Sequence, residues 1–282
     1  MSGHLIGLVG ADLSTSLSAA LFEAEADALG LRLVYRLLDT DRLGEHADLG
    51  ALVRMAWFMG FTGLDVTYPC KRSLIPHLDG LDADATALDA VNMVSYRDGR
   101  STGHNTDGHG FATAVRAALP GATLDRVVLL GAGGAGSAVA HALLAMGVAH
   151  LVVVDVDTAR AAGLVTWLAG VFPRARVEAS GDPAEAMTGA PVDGLVNATP
   201  IGMQGHPGAP LPLDLLTPRL WVVDVIYRPF ETVLLGHART LGCRTANGGG
   251  MLVHQAAAGF RLLTGHTPDA ARMTAHFRAV TR

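Results

Sequence analysis

Short apolar runs alternate along this chain with stretches whose apolar residues recur three and four apart, the pattern of strands feeding helices. Leu5–Val9 is one such run; it ends at Gly10 and is followed by a Ser-rich turn over residues 13–18 and a helical pattern over Ala19–Leu29. A second strand is predicted at Arg32–Leu37, a helix at Leu49–Met59 and a third strand at Gly63–Thr67. This alternation implies a largely parallel sheet with helices packed on it. Residues 82–89 have helical character, and Val91–Tyr96 with Ser101–His104 form a hairpin pattern closed by the turn signal Asp98-Gly99. Gly108–Leu119 then has apolar residues at helical spacing and stops at Pro120-Gly121, where the crossing between two domains is placed.

The second half opens with the buried-strand pattern Val127–Leu130, followed at once by Gly131-Ala132-Gly133-Gly134-Ala135-Gly136, a helix over Gly134–Met146 and a strand at Leu151–Val154. That strand-turn-helix-strand unit is the dinucleotide-binding fingerprint. Gly131 allows the tight turn, Gly133 lets a pyrophosphate approach the backbone, and Gly136 allows close helix-strand packing, while Gly134 and Ala135 open the helix whose amides face the anion. Asp155 closes the second strand, where an acid accepts hydrogen bonds from the adenosine ribose and repels a 2′-phosphate. NAD is therefore favoured over NADP. Asp155 could instead only cap the following helix, and nearby Arg160 could still meet a phosphate. Further strands at Arg176–Ala179, Gly194–Asn197, Trp221–Val225 and Arg244–Ala246 complete a doubly wound sheet. Gly248-Gly249-Gly250 is a hinge signal, and helices follow at Met251–Leu263 and Asp269–Val280.

Composition narrows the class. A chain of 282 residues favours two domains, half of it is hydrophobic and 17% charged, and the formal net charge of -5 argues against nucleic-acid binding. The two cysteines, Cys70 and Cys243, are too few to staple such a fold, so a reducing cytoplasm is expected. Residues 127–154 carry no formal charge and are long enough to span a bilayer, but their glycines, His141 and His150 break the run into strand and helix pieces. Residues 1–6 lack the basic and apolar regions of a signal peptide. Twelve histidines invite a metal, yet there is no His-Glu-x-x-His, and His104 with His109 fits no zinc spacing, so no metal is expected.

Chemistry concentrates after the third strand. Gly63-Leu-Asp-Val-Thr-Tyr-Pro-Cys-Lys71 is a strand stopped by Pro69, which places Thr67 and Lys71 where backbone leaves a sheet edge. Lys71 alone is no more than a solvated charge, and Ser16 and Ser18 on spacing alone read as an N-cap pair.

Taken in order over essentially the whole chain, these motifs resemble the shikimate and quinate dehydrogenase family. Ser16-Leu17-Ser18 resembles its Ser-x-Ser, the stretch Gly63–Lys71 its Asn-Val-Thr-x-Pro-x-Lys, Ala90-Val91-Asn92 its substrate-binding Asn segment, and Asn105-Thr106-Asp107 its Asn-Thr-Asp. Residues 197–203 resemble a cofactor-domain signature, and Met251–Ala256 the segment whose Gln, here Gln255, reaches the substrate. The resemblance implies an α/β protein: an N-terminal mixed α/β substrate domain over residues 1–107, completed by helices over 250–282, plus a Rossmann-type doubly wound domain over 108–249. It implies a shikimate or quinate dehydrogenase of the aromatic amino acid pathway, with Lys71 as acid/base, Asp107 orienting it and binding a ring hydroxyl, Ser16 and Ser18 holding the substrate carboxylate, and Thr67, Asn92, Tyr227 and Gln255 touching the ring. Thr199, Val225 and Gly248 would line the cofactor channel. The expected partner is a small molecule, with no nucleic acid or membrane, and a monomer or homodimer.

Departures leave alternatives open. Asp65 stands where the family usually has Asn, Asp89 where it usually has Gly and Ala19 where it usually has Pro, while Asp155-Val-Asp-Thr replaces the Asn-Arg-Thr of NADP-dependent members. The extra carboxylate of Asp65 admits a relative specific for another ring acid, such as an amino-substituted one. A third reading, of another class, is a nucleotide-sensing protein without turnover.

Overall fold

Glycines and capping residues cut the apolar runs into elements that fold as two compact units, Met1–Thr106 with Gln255–Arg282, and Asp107–His254. The computed structural model describes residues 3–42 and 48–281; Met1 and Ser2, on which the signal-peptide expectation partly rests, lie outside them.

Unit 1 begins with β1 (His4–Gly10), α1 (Ser18–Ala28), β2 (Leu33–Asp39), α2 (Leu49–Phe58), β3 (Gly63–Val66) and α3 (Cys70–Ser73). It continues with β4 (Gly80–Leu81), α4 (Ala83–Leu88), β5 (Met93–Arg97) and β6 (Arg100–His104). The strands form one six-stranded sheet in the order β2-β1-β3-β5-β6-β4. β1 runs parallel to both neighbours, whereas β5 is antiparallel to β3 and β6. The alternating elements β1, β2 and β3 pair parallel as expected, and β5 makes the sheet mixed; its antiparallel pairing with β6 is closed by a two-residue turn at Asp98 and Gly99, both at positive φ (50° and 75°). One face buries Val9, Leu64, Val66 and Val94 against Val53 and Ala56 of α2.

Unit 2 is built from α5 (Asp107–Ala118), β7 (Arg126–Leu130), α6 (Gly134–Ala145), β8 (His150–Val154), α7 (Thr158–Val171) and β9 (Arg176–Ser180). α8 (Pro183–Thr188), β10 (Gly194–Asn197), β11 (Trp221–Asp224), α9 (Val233–Thr240) and β12 (Arg244–Ala246) follow. All its strand pairs are parallel, in the order β12-β11-β10-β7-β8-β9. The order reverses between β7 and β10, the topological switch point of a doubly wound sheet. Val127, Leu129 and Val153 enter one core with Val139 and Leu143 of α6, while Val128, Leu130 and Val152 enter the other with Leu234 and Leu235 of α9. Burial on both faces is why Val127–Leu130 and Leu151–Val154 carry no charge, and among the described residues no helix is long and apolar enough to cross a membrane.

The chain ends with α10 (Gly248–Thr264) and α11 (Ala270–Val280). In unit 1, fully buried Glu25 of α1 accepts from Arg272 Nε and Nη2 of α11 at 2.8 and 2.6 Å, which ties the last helix to the first. The glycine triplet forms the first turn of α10 rather than a linker, and a Cβ on Gly248 would strike the Val225 carbonyl oxygen. Close backbone approach requires that glycine. Three helices that periodicity left unassigned, α7, α8 and α9, each open on a side-chain cap from Asp157, Asp182 or Thr232.

Candidate active site

In unit 1, β1 and β3 run parallel and β5 enters the sheet from the same end at which they leave it. The segments carrying Ser16, Thr67, Asn92 and Thr106 therefore gather at one sheet edge, where loops replace ladder hydrogen bonds. Thr67 N donates to Val9 O at 2.9 Å, and the Tyr68–Pro69 peptide that follows is cis. Lys71 lies within α3, half-buried, and its carbonyl accepts Val91 N at 2.8 Å, one residue before Asn92.

Asn92 is buried and braced from both ends of its amide: Nδ2 donates to Thr106 Oγ1 at 2.9 Å and Oδ1 accepts Thr106 N at 2.8 Å. Thr106 Oγ1 in turn donates to the carbonyl of Gln255 at 3.3 Å, and Asn105 Nδ2 donates to Ala90 O at 2.9 Å. Lys71, Asn92 and Gln255 are thereby linked through backbone and Thr106, a residue for which sequence reading assigned no role, and Val66 N, donating to Asn92 O at 2.7 Å, ties in the segment that carries Thr67. Asp107, buried, opens α5 directly after Thr106.

His104, just before this segment, holds Asp82 Oδ2 through Nδ1 and Ser95 Oγ through Nε2, both at 2.9 Å. A carboxylate only accepts, so Nδ1 donates to Asp82, and in the neutral ring Nε2 then accepts from the serine. This triad-like order is a brace for β6, since Ser95 is 5% exposed in the middle of a strand. Among the described residues no group of three or more His, Cys, Asp or Glu is arranged to hold a metal.

Ser16 and Ser18 do not cap α1: its N-cap is Leu17, with no side-chain cap bond, and Ser16 Oγ instead accepts Ser18 N at 3.3 Å. Asp65 is buried on β3, where the Tyr35 hydroxyl donates to its Oδ2 at 2.6 Å. Burial first, and the Asp65 charge second, push the Tyr35 phenol well above its ordinary range. Sequence reading missed Tyr35; its signal was an inward-facing polar ring in a strand whose neighbours are exposed. Asp89 caps α4 at φ 47°, a left-handed conformation that glycine adopts more easily, with Arg72 3.5 Å from its carboxylate.

In unit 2, Gly131 at φ 98° turns the chain out of β7, and a Cβ there would meet Ala198 O at 2.8 Å. Gly136 packs so that a Cβ would strike Gly131 O, whereas Gly133 and Gly134 project into open space at the start of α6. Those positions and the helix amides, including that of exposed Ala135, fit a diphosphate. Asp155, 8% exposed, accepts Ala132 N at 2.7 Å through Oδ2 and Asp157 N at 2.9 Å through Oδ1, so it fastens the glycine loop itself. Arg160 lies 3.6 Å from Asp155 and 3.1 Å from Asp157, a second acid that sequence reading did not single out.

At the switch point, buried Asn197 accepts Thr199 N and Oγ1 at 3.0 and 2.7 Å and donates to Asp224 Oδ1 at 3.1 Å. Burial raises the Asp224 pKa against the hydrogen bonds it receives from Thr232, Ile226 N and Asn197. This acid, also unforeseen, fixes Thr199 and the loop after β11, in which Val225 meets Gly248 and Tyr227 is half-buried.

Residues 8–94 match the model of the shikimate dehydrogenase substrate binding domain, and residues 248–276 that of the shikimate 5′-dehydrogenase C-terminal domain. A shikimate dehydrogenase (NADP(+)) of Streptomyces avermitilis is 53% identical over 96% of this chain and 94% of its own length. The chain belongs to the shikimate dehydrogenase family. It is an oxidoreductase of that family, with the family's mixed substrate-binding unit and Rossmann-type unit. A quinate/shikimate dehydrogenase (NAD(+)) of Corynebacterium efficiens is 46% identical over 97% of both chains. The structure of quinate dehydrogenase from Corynebacterium glutamicum in complex with NAD superposes with a TM-score of 0.92 at 44% identity, covering 98% of this chain and 99% of that one.

Proposed function

We propose that this chain is an NAD-preferring oxidoreductase that interconverts shikimate with 3-dehydroshikimate, and quinate with 3-dehydroquinate as a second pair, in a reducing cytoplasm. The observation that carries the reading is the braced edge of unit 1, where Asn92 and Gln255 are joined through Thr106, Lys71 through the Val91–Lys71 backbone bond, and the segment carrying Thr67 through Val66 N, which donates to Asn92 O at 2.7 Å. A ring bearing a carboxylate and several hydroxyls needs this mixture of amide, hydroxyl and ammonium groups on rigid supports.

Oxidation of a ring alcohol takes a hydride from carbon and a proton from oxygen, and bound NAD supplies the hydride acceptor. Lys71 takes the proton in that direction and returns it in the other. Asn92, Thr67 and Gln255 orient the hydroxyls, Ser16 and Ser18 hold the carboxylate, and Asp107 and Tyr227 keep the roles that the family resemblance implies. Asn92 is well suited, because its own amide is locked by Thr106 before a ligand arrives.

Overall identity does not order the cofactor preference, since one relative is named for NADP and another, less similar, for NAD. The residues after β8 support NAD. Asp155 and Asp157 bracket Arg160, so a 2′-phosphate would meet two carboxylates and an already paired guanidinium. Tyr35 donates to Asp65 Oδ2, which gives this carboxylate a partner within the fold and speaks against its being a reader of an amino-substituted substrate. Steady-state kinetics on shikimate and quinate with both cofactors test the reading: higher kcat/KM with NAD is expected, and negligible turnover of both acids overturns it.

A further inference from the structure

The amide of Asn197 can be oriented in only one way. The Thr199 N–H, 3.0 Å away, can only donate, so the atom facing it is Oδ1; the Ile201 carbonyl, 3.1 Å away on the other side, can only accept, so the atom facing it is Nδ2. Nδ2 also donates to Asp224 Oδ1 at 3.1 Å. That carboxylate accepts Ile226 N at 3.0 Å and Thr232 Oγ1 at 2.7 Å as well, so it is held from the loop after β11 and from the cap of α9. Asn197 and Asp224 are both fully buried.

The consequence falls on Thr199, half-buried just beyond the end of β10. Its Oγ1 lies 2.7 Å from Asn197 Oδ1, an atom without a proton, so the one hydroxyl proton is spent there. Ile201 N donates to the same Oγ1 at 3.2 Å. One lone pair is left, and the hydroxyl can accept a further hydrogen bond but not give one. Such a group does not suit a phosphate oxygen, itself an acceptor; it suits an O–H or N–H donor. A methyl at Gly131 would meet Thr199 N at 3.1 Å, so Thr199 stands beside the glycine loop, on the β10 side of the switch point. Asp155 follows β8 on the other side, the side of the adenosine ribose. The half of a dinucleotide that falls to Thr199 is therefore the nicotinamide half, whose donors are its ribose hydroxyls and its carboxamide amine.

We propose that Asn197, held by buried Asp224, is a positioning residue that makes Thr199 a hydrogen-bond acceptor for the nicotinamide half of the cofactor; this rests on the use of NAD proposed above.

Calorimetric binding of NAD, ADP-ribose and ADP to the unaltered protein and to Asn197→Ala, Thr199→Val and Thr199→Ser tests this, with thermal unfolding measured alongside. ADP carries only the adenosine and the diphosphate. Asn197→Ala and Thr199→Val should each weaken NAD about tenfold, the size of one hydrogen bond, and change ADP by less than about twofold. Thr199→Ser, which keeps the hydroxyl, should recover most of the loss. In a Thr199→Val background Asn197→Ala should weaken NAD little further. A loss shared by ADP-ribose assigns the ribose hydroxyl as the donor, and a loss confined to NAD assigns the carboxamide. Equal losses on NAD and ADP, no loss on NAD, or additive losses in the double variant overturns the proposal. If Asn197→Ala does not fold, Asp224→Asn, of the same shape, takes its place: a smaller loss on NAD that spares ADP is expected, and unchanged NAD binding overturns the role of the pair. These readings need no turnover. The same pattern in a protein that oxidises neither shikimate nor quinate overturns the proposed reaction but keeps the positioning role, whereas no NAD binding by the unaltered protein overturns the role.

Discussion

Asp155 Oδ2 accepts the backbone N–H of Ala132 at 2.7 Å, so the acid that ends the second Rossmann strand also fastens the glycine loop that begins the unit. On the proposed function, one side chain would couple the choice of cofactor to the shape of the diphosphate cradle. Asp155→Ala removes this bond and the one from Asp157 N, and the ratio of kcat/KM for NAD over NADP should narrow by about tenfold, with a lower Tm. A lower Tm at an unchanged ratio would show that Asp155 only supports the loop.

Lys71 is expected to carry proton transfer and nothing in cofactor binding. Lys71→Ala should lower kcat by about 10²–10⁴ while NAD binding, followed by fluorescence titration, stays within about twofold. A rate near that of the unaltered protein would remove Lys71 from the mechanism.

Two glycines with opposite surroundings should respond oppositely to a methyl group. Gly248→Ala puts a Cβ 1.8 Å from Val225 O and should destabilise by roughly 3 kcal/mol or more. Gly163→Ala, inside α7 with nothing within 4 Å of the added Cβ, should stabilise by about 0.4–1 kcal/mol. Thermal or urea unfolding of both variants checks the pair.

Asp79 accepts Ser101 N at 2.8 Å and Ser101 Oγ at 2.9 Å, and these bonds hold its carboxyl below the ordinary range. A depressed carboxylate contributes stability that is present above the unfolded-state pKa of about 3.9 and is lost as pH falls through the folded value. Asp79→Asn should therefore lower Tm at pH 7 and leave it nearly unchanged at about pH 2–3. An equal drop at both pH values would mean that packing, not charge, is at work.

Much of the candidate site was legible because its parts are local. Gly131-Ala132-Gly133 between a strand and a helix can only turn tightly and expose amides, and Asp98-Gly99 between two alternating runs folds as the two-residue turn found. The helices opened by Asp157, Asp182 and Thr232 are also written locally, in capping residues, with Pro183 and Glu185 in the first turn of α8. The glycine triplet is ambiguous for a physical reason: glycine marks freedom and close approach alike, and only the tertiary structure shows the Val225 carbonyl packed against Gly248.

The sequence by itself determined the strand-helix alternation, the cofactor loop and the order of the motifs, since each depends on residues within a few positions of one another. Tertiary structure alone decided what Asp65 does. Its partner Tyr35 lies thirty residues away on a strand that it does not pair with, and only the register of β1 against both neighbours brings the two side chains onto one face. The same holds for Asn92 with Thr106 and for Asp155 with Ala132. Spacing along a chain fixes which way a side chain points within its own element; which charge it meets is fixed by strand order and register, which no local pattern encodes.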